Sequence, residues 1–248
     1  MAPCSWLEQF QREGFLICNH VLAADQVNKL IQAIESARTA YSTEPSGKQS
    51  NNLRNLVKAV PQVRELANSN SARSLVEPIL GTQARVVRGL FFDKTPETNW
   101  KVAWHQDLAI AVKERRELPG FGPWTTKAGV LHVLPPASVL ENMVTLRFHL
   151  DECSEQNGPL QVLPGSHLNG RLEAPAIAAW REKRPVNTCP VSVGGVLILR
   201  PLLLHASSEA QHPGHRRVVH LEYAADRLPE GLEWALEMPC TFGAGMVH

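Results

Sequence analysis

The chain has 248 residues, of which 44% are hydrophobic and 20% are charged, as in ordinary soluble globular proteins. Lys and Arg number 25 against 24 Asp and Glu, and the resulting formal charge of +1 argues against nucleic acid or an anionic membrane as a partner. No apolar run is long enough to span a bilayer. This length can build one well-buried core, so we expect a single domain over residues 1–248.

The N-terminus and the cysteines both predict a cytoplasmic protein. The first residues are polar and include acids, which is typical of neither a signal peptide nor a transit peptide. The cysteines are far apart and form no CxxC pair, so we interpret them as reduced thiols. They are Cys4, Cys18, Cys153, Cys189 and Cys240. A monomer and a homodimer are both compatible with the sequence.

The first 83 residues are predicted to be mainly helical. A short buried strand is expected at 14–21, and apolar residues at helical spacing predict a helix over about 23–40. Turn-forming residues at 42–52 indicate a loop. A second helical stretch is expected over 66–80, ending near Gly81.

From residue 84 the chain has the pattern of a β protein. Short runs rich in Val, Leu, Phe and Tyr are separated by Pro, Gly or Asn, and they predict strands within 84–94, 142–150, 160–165, 193–200 and 216–224. Helices followed by several short strands favour an α+β protein, mainly β, with a sandwich or barrel over 84–248. The segment 108–142 is long, weakly periodic and rich in Pro and Gly, which is typical of a lid-like insertion over a site.

His105 and Asp107 form the first candidate metal-binding pair. They follow an extended segment, and residues two apart on a strand point to the same face, so both could reach one ion. A histidine and a carboxylate supply two ligands of the facial triad of non-haem iron(II), which leaves three coordination positions open. His205, at the end of an apolar strand, is the candidate third ligand. The alternative is a structural role without a metal, in which His105 is buried and hydrogen-bonded and Asp107 caps a turn.

Arg216 follows His205 by 11 residues and opens a predicted strand. A guanidinium binds a carboxylate through two parallel hydrogen bonds and stays charged at any working pH. An arginine on a strand next to the metal strand would therefore suit a dicarboxylate cosubstrate. A surface salt bridge is the alternative role for Arg216.

Four motifs in this order resemble the phytanoyl-CoA dioxygenase family of iron(II)- and 2-oxoglutarate-dependent oxygenases. They are WHQD (104–107), LDECSEQNGPLQVLPGSH (150–167), PLLLHASS (201–208) and RRVVHLEY (216–223). The opening segment FQREGFLICNHVLAADQVNKLIQAIE is similar to the N-terminal strand and helix of the family. The resemblance covers nearly the whole chain, and the four motifs together are far more specific than HxD alone.

The resemblance implies a fold, a metal site and a cosubstrate site. The fold would be a double-stranded β-helix, a jelly-roll and cupin-like core, flanked by helices. The iron(II) ligands would be His105, Asp107 and His205. Arg216 would bind the distal carboxylate of 2-oxoglutarate, assisted by the hydroxyl of Ser207.

Three further positions are implied by the resemblance. Gln106 matches a family position near the cosubstrate, and Leu90 matches a lining position. Arg147 stands where the phytanoyl-CoA enzyme has an aromatic residue beside 2-oxoglutarate. This departure leaves three roles for Arg147 open: contact with 2-oxoglutarate, contact with an acidic substrate, or structural support.

The implied reaction is the hydroxylation of an unactivated C–H of a small molecule by O2, with release of succinate and CO2 from 2-oxoglutarate. Halogenating relatives carry a small residue at the position of Asp107, so a carboxylate there favours hydroxylation, desaturation or ring closure. Two rival interpretations are a non-redox metal-binding protein, such as a cupin-like isomerase or sensor, and a purely structural or interaction protein. Neither rival needs Arg216 and Ser207.

Overall fold

The computed structural model describes residues 5–42, 56–127 and 129–239. The predicted loop at 42–52 lies outside these ranges apart from its first residue. Seven α-helices are described: α1 (Trp6–Glu13), α2 (Ala24–Ser42), α3 (Leu56–Ala59), α4 (Pro61–Ala67), α5 (Asn70–Leu80), α6 (Ala137–Glu141) and α7 (Ala174–Lys183). Within these ranges, none of the helices combines the length and apolar character that crossing a bilayer requires.

The N-terminal helices agree with the predicted pattern except at two places. The helix α1 was not predicted; it begins at a capping box in which Ser5 and Glu8 satisfy each other's backbone N–H groups. The stretch expected to form one helix over 66–80 belongs to α4 and α5. Ser69 separates them because its hydroxyl accepts from the backbone N–H of Ala72 and so caps α5.

Ten of the thirteen described strands form two large sheets. The strands are β1 (Phe15–Cys18), β2 (Arg85–Lys94), β3 (Val102–His105), β4 (Ile110–Val112), β5 (Trp124–Lys127), β6 (Val130–Val133), β7 (Met143–His149), β8 (Leu160–Val162), β9 (Asn187–Cys189), β10 (Val196–Leu199), β11 (His205–Ser207), β12 (Arg216–Ala224) and β13 (Met238–Pro239). A six-stranded sheet has the order β1-β10-β7-β12-β2-β13, and a four-stranded sheet has the order β3-β11-β8-β9. Neighbouring strands are antiparallel, and the two sheets do not close into a barrel.

The outer face of the six-stranded sheet packs against the N-terminal helices. Its buried side chains alternate along each strand, as expected for residues two apart. They are Phe91, Val144, Leu146, Phe148, Val196, Ile198, Val219, Leu221 and Tyr223. Helix residues such as Val27, Leu30 and Ile34 belong to the same apolar core.

The inner face of the same sheet is turned toward the four-stranded sheet. At the β1 and β10 end it is apolar, where Leu197 and Leu199 pack against Leu160 and Val162 of β8. Toward β7, β12 and β2 the alternating positions are mostly polar. They are Thr145, Arg147, His149, Arg216, Val218, His220, Glu222, Arg88, Leu90, Phe92 and Lys94. This polar end of the inner face leaves a cavity between the two sheets.

The segment 108–142 contains regular structure that the sequence did not reveal. The strands β4, β6 and β5 form a third, antiparallel sheet, and α6 follows them. The sheet packs through Ile110, Val112 and Val133 on an apolar cluster with Trp234. Strands of three or four residues are too short for alternation to be recognised between the Pro and Gly residues that separate them.

Candidate active site

His105, Asp107 and His205 converge at the edge between the two sheets. His105 ends β3, His205 begins β11, and the two are directly paired across the antiparallel ladder. Asp107 lies two residues beyond β3, where its backbone N–H donates to the carbonyl of Pro201 at 2.9 Å. One ligand atom from each of the three side chains lies within 4.8 Å of the others.

Backbone carbonyls orient both imidazole rings. The Nδ1 of His105 is 2.8 Å from the carbonyl of Ala103, and the Nδ1 of His205 is 2.9 Å from that of Leu203. A carbonyl can only accept, so each ring carries its proton on Nδ1 and presents the lone pair of Nε2. Each Nε2 is 3.7 Å from a carboxylate oxygen of Asp107.

The charge states of the three side chains also suit metal binding. Burial lowers the pKa of His205 to about 4, which keeps its imidazole neutral at neutral pH. Burial raises the pKa of Asp107, but the electrostatic influence of His205, His220, His105 and Arg147 outweighs that effect and holds it below the usual value. Two imidazole nitrogens and one carboxylate are the donor set of a facial iron(II) site. The residues present therefore fit the metal that the sequence predicts.

The triad opens into a cavity of about 250 Å³ between the two sheets. The lining comes from both sheets and from the segment between β2 and β3. It comprises Arg88, Leu90, Phe92, Trp100, Val102, His105, Asp107, Arg147, Leu160, His205, Ser207, Arg216, His220 and Glu222. A second cavity of about 120 Å³ adjoins it and shares Arg88 and Leu90.

Arg216 and Ser207 both line the first cavity, and they come from different sheets. Arg216 was expected on a strand next to the metal strand, but β12 belongs to the six-stranded sheet, whereas β3 and β11 belong to the facing sheet. The Arg216 Nη1 donates to the carbonyl of Gly158, and its Nε is buried without a hydrogen-bond partner. Ser207, two residues after His205, is buried at the same end of the cavity.

Arg147 lies in a row of polar residues across the inner face. Its Nη1 donates to the Nδ1 of His220 at 3.0 Å, so the His220 proton is on Nε2, which donates to Glu222 at 3.2 Å. Arg88 completes the row with an ion pair to Glu222 at 3.0 Å. Burial and the charge of Arg216 lower the pKa of Arg147 to about 10, and its Nε has no partner. The row leaves Arg147 charged and facing the cavity.

Leu90 and Gln106 are placed differently with respect to the cavity. Leu90 lines it, opposite His220 across the β2–β12 ladder. Gln106 is buried on the other side of the chain from His105 and Asp107. Its amide donates to the carbonyls of Gly170 and Leu202 and accepts from the N–H of Leu172, at distances of 2.6–2.8 Å. The structure therefore does not bring Gln106 to the cavity.

Sequence reasoning missed Arg88 and Lys94 of β2. Both lie on the inner face together with Leu90 and Phe92, at intervals of two residues. The sequence could have indicated both residues. Leu90 was expected to line the site, and residues at intervals of two from it on a strand lie on the same face. His220 and Glu222 line the cavity, as their alternation with Arg216 suggests.

Comparison with known proteins identifies the family. A family model described as phytanoyl-CoA dioxygenase (PhyH) matches residues 10–218. No curated protein matches the chain significantly in sequence. Several solved structures share its fold, and they confirm the predicted jelly-roll class.

Three of these structures illustrate the similarity. EctD from S. alaskensis, with 2-oxoglutarate and 5-hydroxyectoine, is 18% identical with a TM-score of 0.67, over 88% of this chain and 74% of EctD. AviO1 from Streptomyces viridochromogenes Tue57 is 24% identical with a TM-score of 0.62, over 88% of this chain and 92% of AviO1. The epimerase SnoN from nogalamycin biosynthesis is 18% identical with a TM-score of 0.63, over 95% of this chain and 93% of SnoN. Because the family model covers most of its length, the chain belongs to the phytanoyl-CoA dioxygenase family of oxygenases, which use iron(II), 2-oxoglutarate and O2.

Proposed function

We propose that the protein hydroxylates an unactivated C–H of a small molecule, with release of succinate and CO2 from 2-oxoglutarate. The observation that carries the proposal is the convergence of two sites in one cavity. His105, Asp107 and His205 would form the metal donor set, and Arg216 with Ser207, which line the same cavity, would bind the distal carboxylate. A metal site alone would not need the second pair.

The metal ligands have a defined task in this proposal. His105, Asp107 and His205 would hold iron(II) through two Nε2 atoms and one carboxylate oxygen. The bound metal would supply three open coordination positions for the keto acid end of 2-oxoglutarate and for O2. The protein keeps both imidazoles in the correct tautomer through the carbonyls of Ala103 and Leu203.

Arg216 and Ser207 would orient the cosubstrate. The buried guanidinium has an unpartnered Nε, and a carboxylate in the cavity would satisfy it. A charge-assisted hydrogen bond in a water-poor cavity fixes the distal end of the dicarboxylate, so its keto acid end points to the triad. Phe92 and Leu160, the latter paired with Ser207 across the β8–β11 ladder, would make this part of the cavity apolar.

The substrate would enter from the side of Arg88 and Glu222, where the two cavities meet. Arg147 would present its charge toward the bound molecules while the row of His220, Glu222 and Arg88 holds it in place. The segment 108–142 contributes Ala111, Val130 and His132 to the second cavity, which supports a role as a lid over the substrate.

Asp107 favours hydroxylation, desaturation or ring closure over halogenation, because a carboxylate ligand occupies the position that a halide would need. Proteins of similar structure include an epimerase and a carbocyclase, so one fold supports several reaction types. The mass of the product separates these outcomes. Hydroxylation adds one oxygen atom, ring closure removes two hydrogens, and epimerisation leaves the mass unchanged.

The test is a metabolite screen for substrates that increase O2-dependent release of succinate by the iron-loaded protein, with product masses measured for each hit. We expect at least one product heavier by one oxygen. Succinate release that never depends on added iron would contradict the proposal. So would products that never gain oxygen.

A further inference from the structure

The second cavity lies between β2 and one face of the small third sheet. Ala111 of β4 and both Val130 and His132 of β6 line it from that sheet. Ala111 and His132 are direct partners across the β4–β6 ladder. The next residue of β6, Val133, points the other way and packs on the apolar cluster with Trp234. The third sheet therefore turns one face to the apolar cluster and presents His132 to the cavity.

His132 offers a hydrogen-bond acceptor to this cavity. Its Nδ1 is 2.9 Å from the carbonyl of Val130, so the ring carries its proton on Nδ1 and its lone pair on Nε2. Burial and the charge of Arg88 lower the pKa of His132, which keeps the imidazole neutral at neutral pH. In the part of the chain that the structure describes, no donor reaches Nε2. This atom is therefore left to a donor on a molecule in the cavity.

Arg88 and Glu222 stand where the second cavity meets the first, and their charges balance. The Arg88 Nη1 donates to the Glu222 Oε1 at 3.0 Å, and the His220 Nε2 donates to the same oxygen at 3.2 Å. Burial raises the pKa of Glu222, but Arg88 and His220 outweigh that effect and keep the carboxylate ionised. A guanidinium has five N–H groups, so Arg88 can still donate to a further acceptor. The junction is electrically neutral and retains free donors.

The rest of the lining is apolar apart from Lys58 at the rim. Lys58 is exposed, and its ammonium donates to the carbonyl of Ala235 at 3.4 Å. Among the described residues, none that lines the second cavity is acidic. The apolar side chains are Val57, Val87, Leu90, Ala111, Val130, Ala235 and Leu236. With a volume of about 120 Å³, the cavity suits a compact group that carries few polar atoms.

These contacts discriminate between the polar groups that a substrate could place here. A carboxylate would turn its lone pairs toward that of the His132 Nε2, and the charge of Arg88 is already balanced. An ammonium would bury its charge near Arg88 and Lys58, with one acceptor for three protons. An amide would leave some of its polar atoms without partners. A hydroxyl needs one acceptor, which His132 supplies, and its oxygen can accept from Arg88.

We infer that the substrate is a neutral, largely apolar alcohol whose hydroxyl lies in the second cavity, where it donates to the Nε2 of His132 and accepts from Arg88. Its apolar body would extend past Leu90, which lines both cavities, toward the metal triad. The inference rests on the proposed function, since it presumes that the substrate lies beside the triad. It makes His132 of the third sheet a specificity-determining residue.

The experiment is an anaerobic calorimetric titration of protein loaded with iron(II) and 2-oxoglutarate, which cannot turn over without O2. The four probes are cyclohexanol, fluorocyclohexane, cyclohexylamine and cyclohexanecarboxylate, which share a ring and differ in one group. We expect cyclohexanol to bind at least about 10-fold more tightly than either charged probe. Loss of one hydrogen bond in His132→Phe should weaken cyclohexanol binding by about 10-fold and leave fluorocyclohexane binding unchanged.

Two variants separate recognition from structural support. His132→Gln keeps an acceptor near the position of Nε2 and should recover much of the affinity for cyclohexanol. The exposed His212→Phe is the matched control and should bind all four probes as the wild type does. A 2-oxoglutarate titration of each variant checks that the rest of the site is intact.

Several results would overturn the inference. They are a wild type that binds no cyclohexanol or prefers a charged probe, an unchanged cyclohexanol affinity in His132→Phe, and equal weakening of cyclohexanol and fluorocyclohexane. Failure of the proposed function looks different. In that case alcohols would bind in a way that depends on His132, yet no alcohol would increase O2-dependent succinate release. Succinate release that only molecules without a hydroxyl increase would contradict the inference and leave the proposed function standing.

Discussion

The same strands form both faces of the six-stranded sheet, but the outer face is apolar and much of the inner face is polar. On the outer face, alternate residues of β7 are Val144, Leu146 and Phe148, all packed under the helices. On the inner face, the intervening residues include Arg147 and His149, which are equally buried but polar. Burial on the outer face stabilises the fold, whereas burial on the inner face leaves charges and unpartnered donors that only ligands can satisfy. The difference separates the part of the sheet that maintains the fold from the part that binds.

The largest effect is expected at the metal ligands. Asp107→Ala and His205→Ala should reduce iron-dependent 2-oxoglutarate turnover to the background of metal-free protein, because each variant removes one of the three ligands around which this metal site is built. Succinate release measures the loss, and circular dichroism checks that both variants fold. Normal uncoupled succinate formation in either variant would refute the ligand assignment.

A truncation on the outer face should affect stability and leave binding unchanged. Leu146→Ala removes a fully buried side chain, and we expect the free energy of unfolding to fall by about 3 kcal/mol. Denaturant titration measures the change, and the apparent KM for 2-oxoglutarate should stay that of the wild type. An altered KM with unchanged stability would mean that the two faces are not separable.

The matching change on the inner face is Arg216→Ala, which should raise the apparent KM for 2-oxoglutarate by about 100-fold, since it removes a buried charge-assisted contact. Arg216→Lys should recover only part of the affinity, because an ammonium cannot form the parallel pair of hydrogen bonds. Turnover at varied 2-oxoglutarate concentrations measures both. An unchanged KM in Arg216→Ala would exclude this residue from the cosubstrate site.

A smaller effect is expected from His149 of the inner face, which should make the stability of the protein depend on pH. Burial and the charges of Arg147 and Arg216 hold the pKa of His149 well below its usual value, and neither ring nitrogen has a hydrogen-bond partner. Below about pH 6.5 the unfolded chain binds a proton at this residue and the folded chain does not. Above that pH, His149 does not change the free energy of unfolding with pH. Below it, the protonation of this residue in the unfolded chain lowers the free energy of unfolding by up to about 1.4 kcal/mol per pH unit.

The measurement is the free energy of unfolding between pH 7 and pH 5 for wild type and His149→Leu. The variant should lose less stability on acidification than the wild type does. The exposed His212→Leu is the matched control and should follow the wild type. A slope that is the same in all three proteins would contradict the account of His149.

The sequence predicted the long strands and the metal donor set because both depend on local patterns. Runs rich in Val, Leu, Phe and Tyr identified β2, β7 and β12, and the HxD spacing placed His105 beside Asp107. The sequence could not reveal that β12 lies in the sheet that faces β11, because strand pairing depends on contacts between distant parts of the chain. Lys94 was missed because a lysine near the end of a strand is usually solvent-exposed. The alternation that places His105 and Asp107 on one side turns the Gln106 side chain to the other, where backbone groups of Gly170, Leu172 and Leu202 hold its amide.

The most direct test of the account is an anaerobic titration of the protein with iron(II) and 2-oxoglutarate, followed by visible absorption. We expect a weak charge-transfer band that requires both components, is absent in His205→Ala, and needs far more 2-oxoglutarate in Arg216→Ala. A protein that binds iron(II) but gives no band with 2-oxoglutarate at any concentration would contradict the claim that one cavity holds the metal and the cosubstrate together.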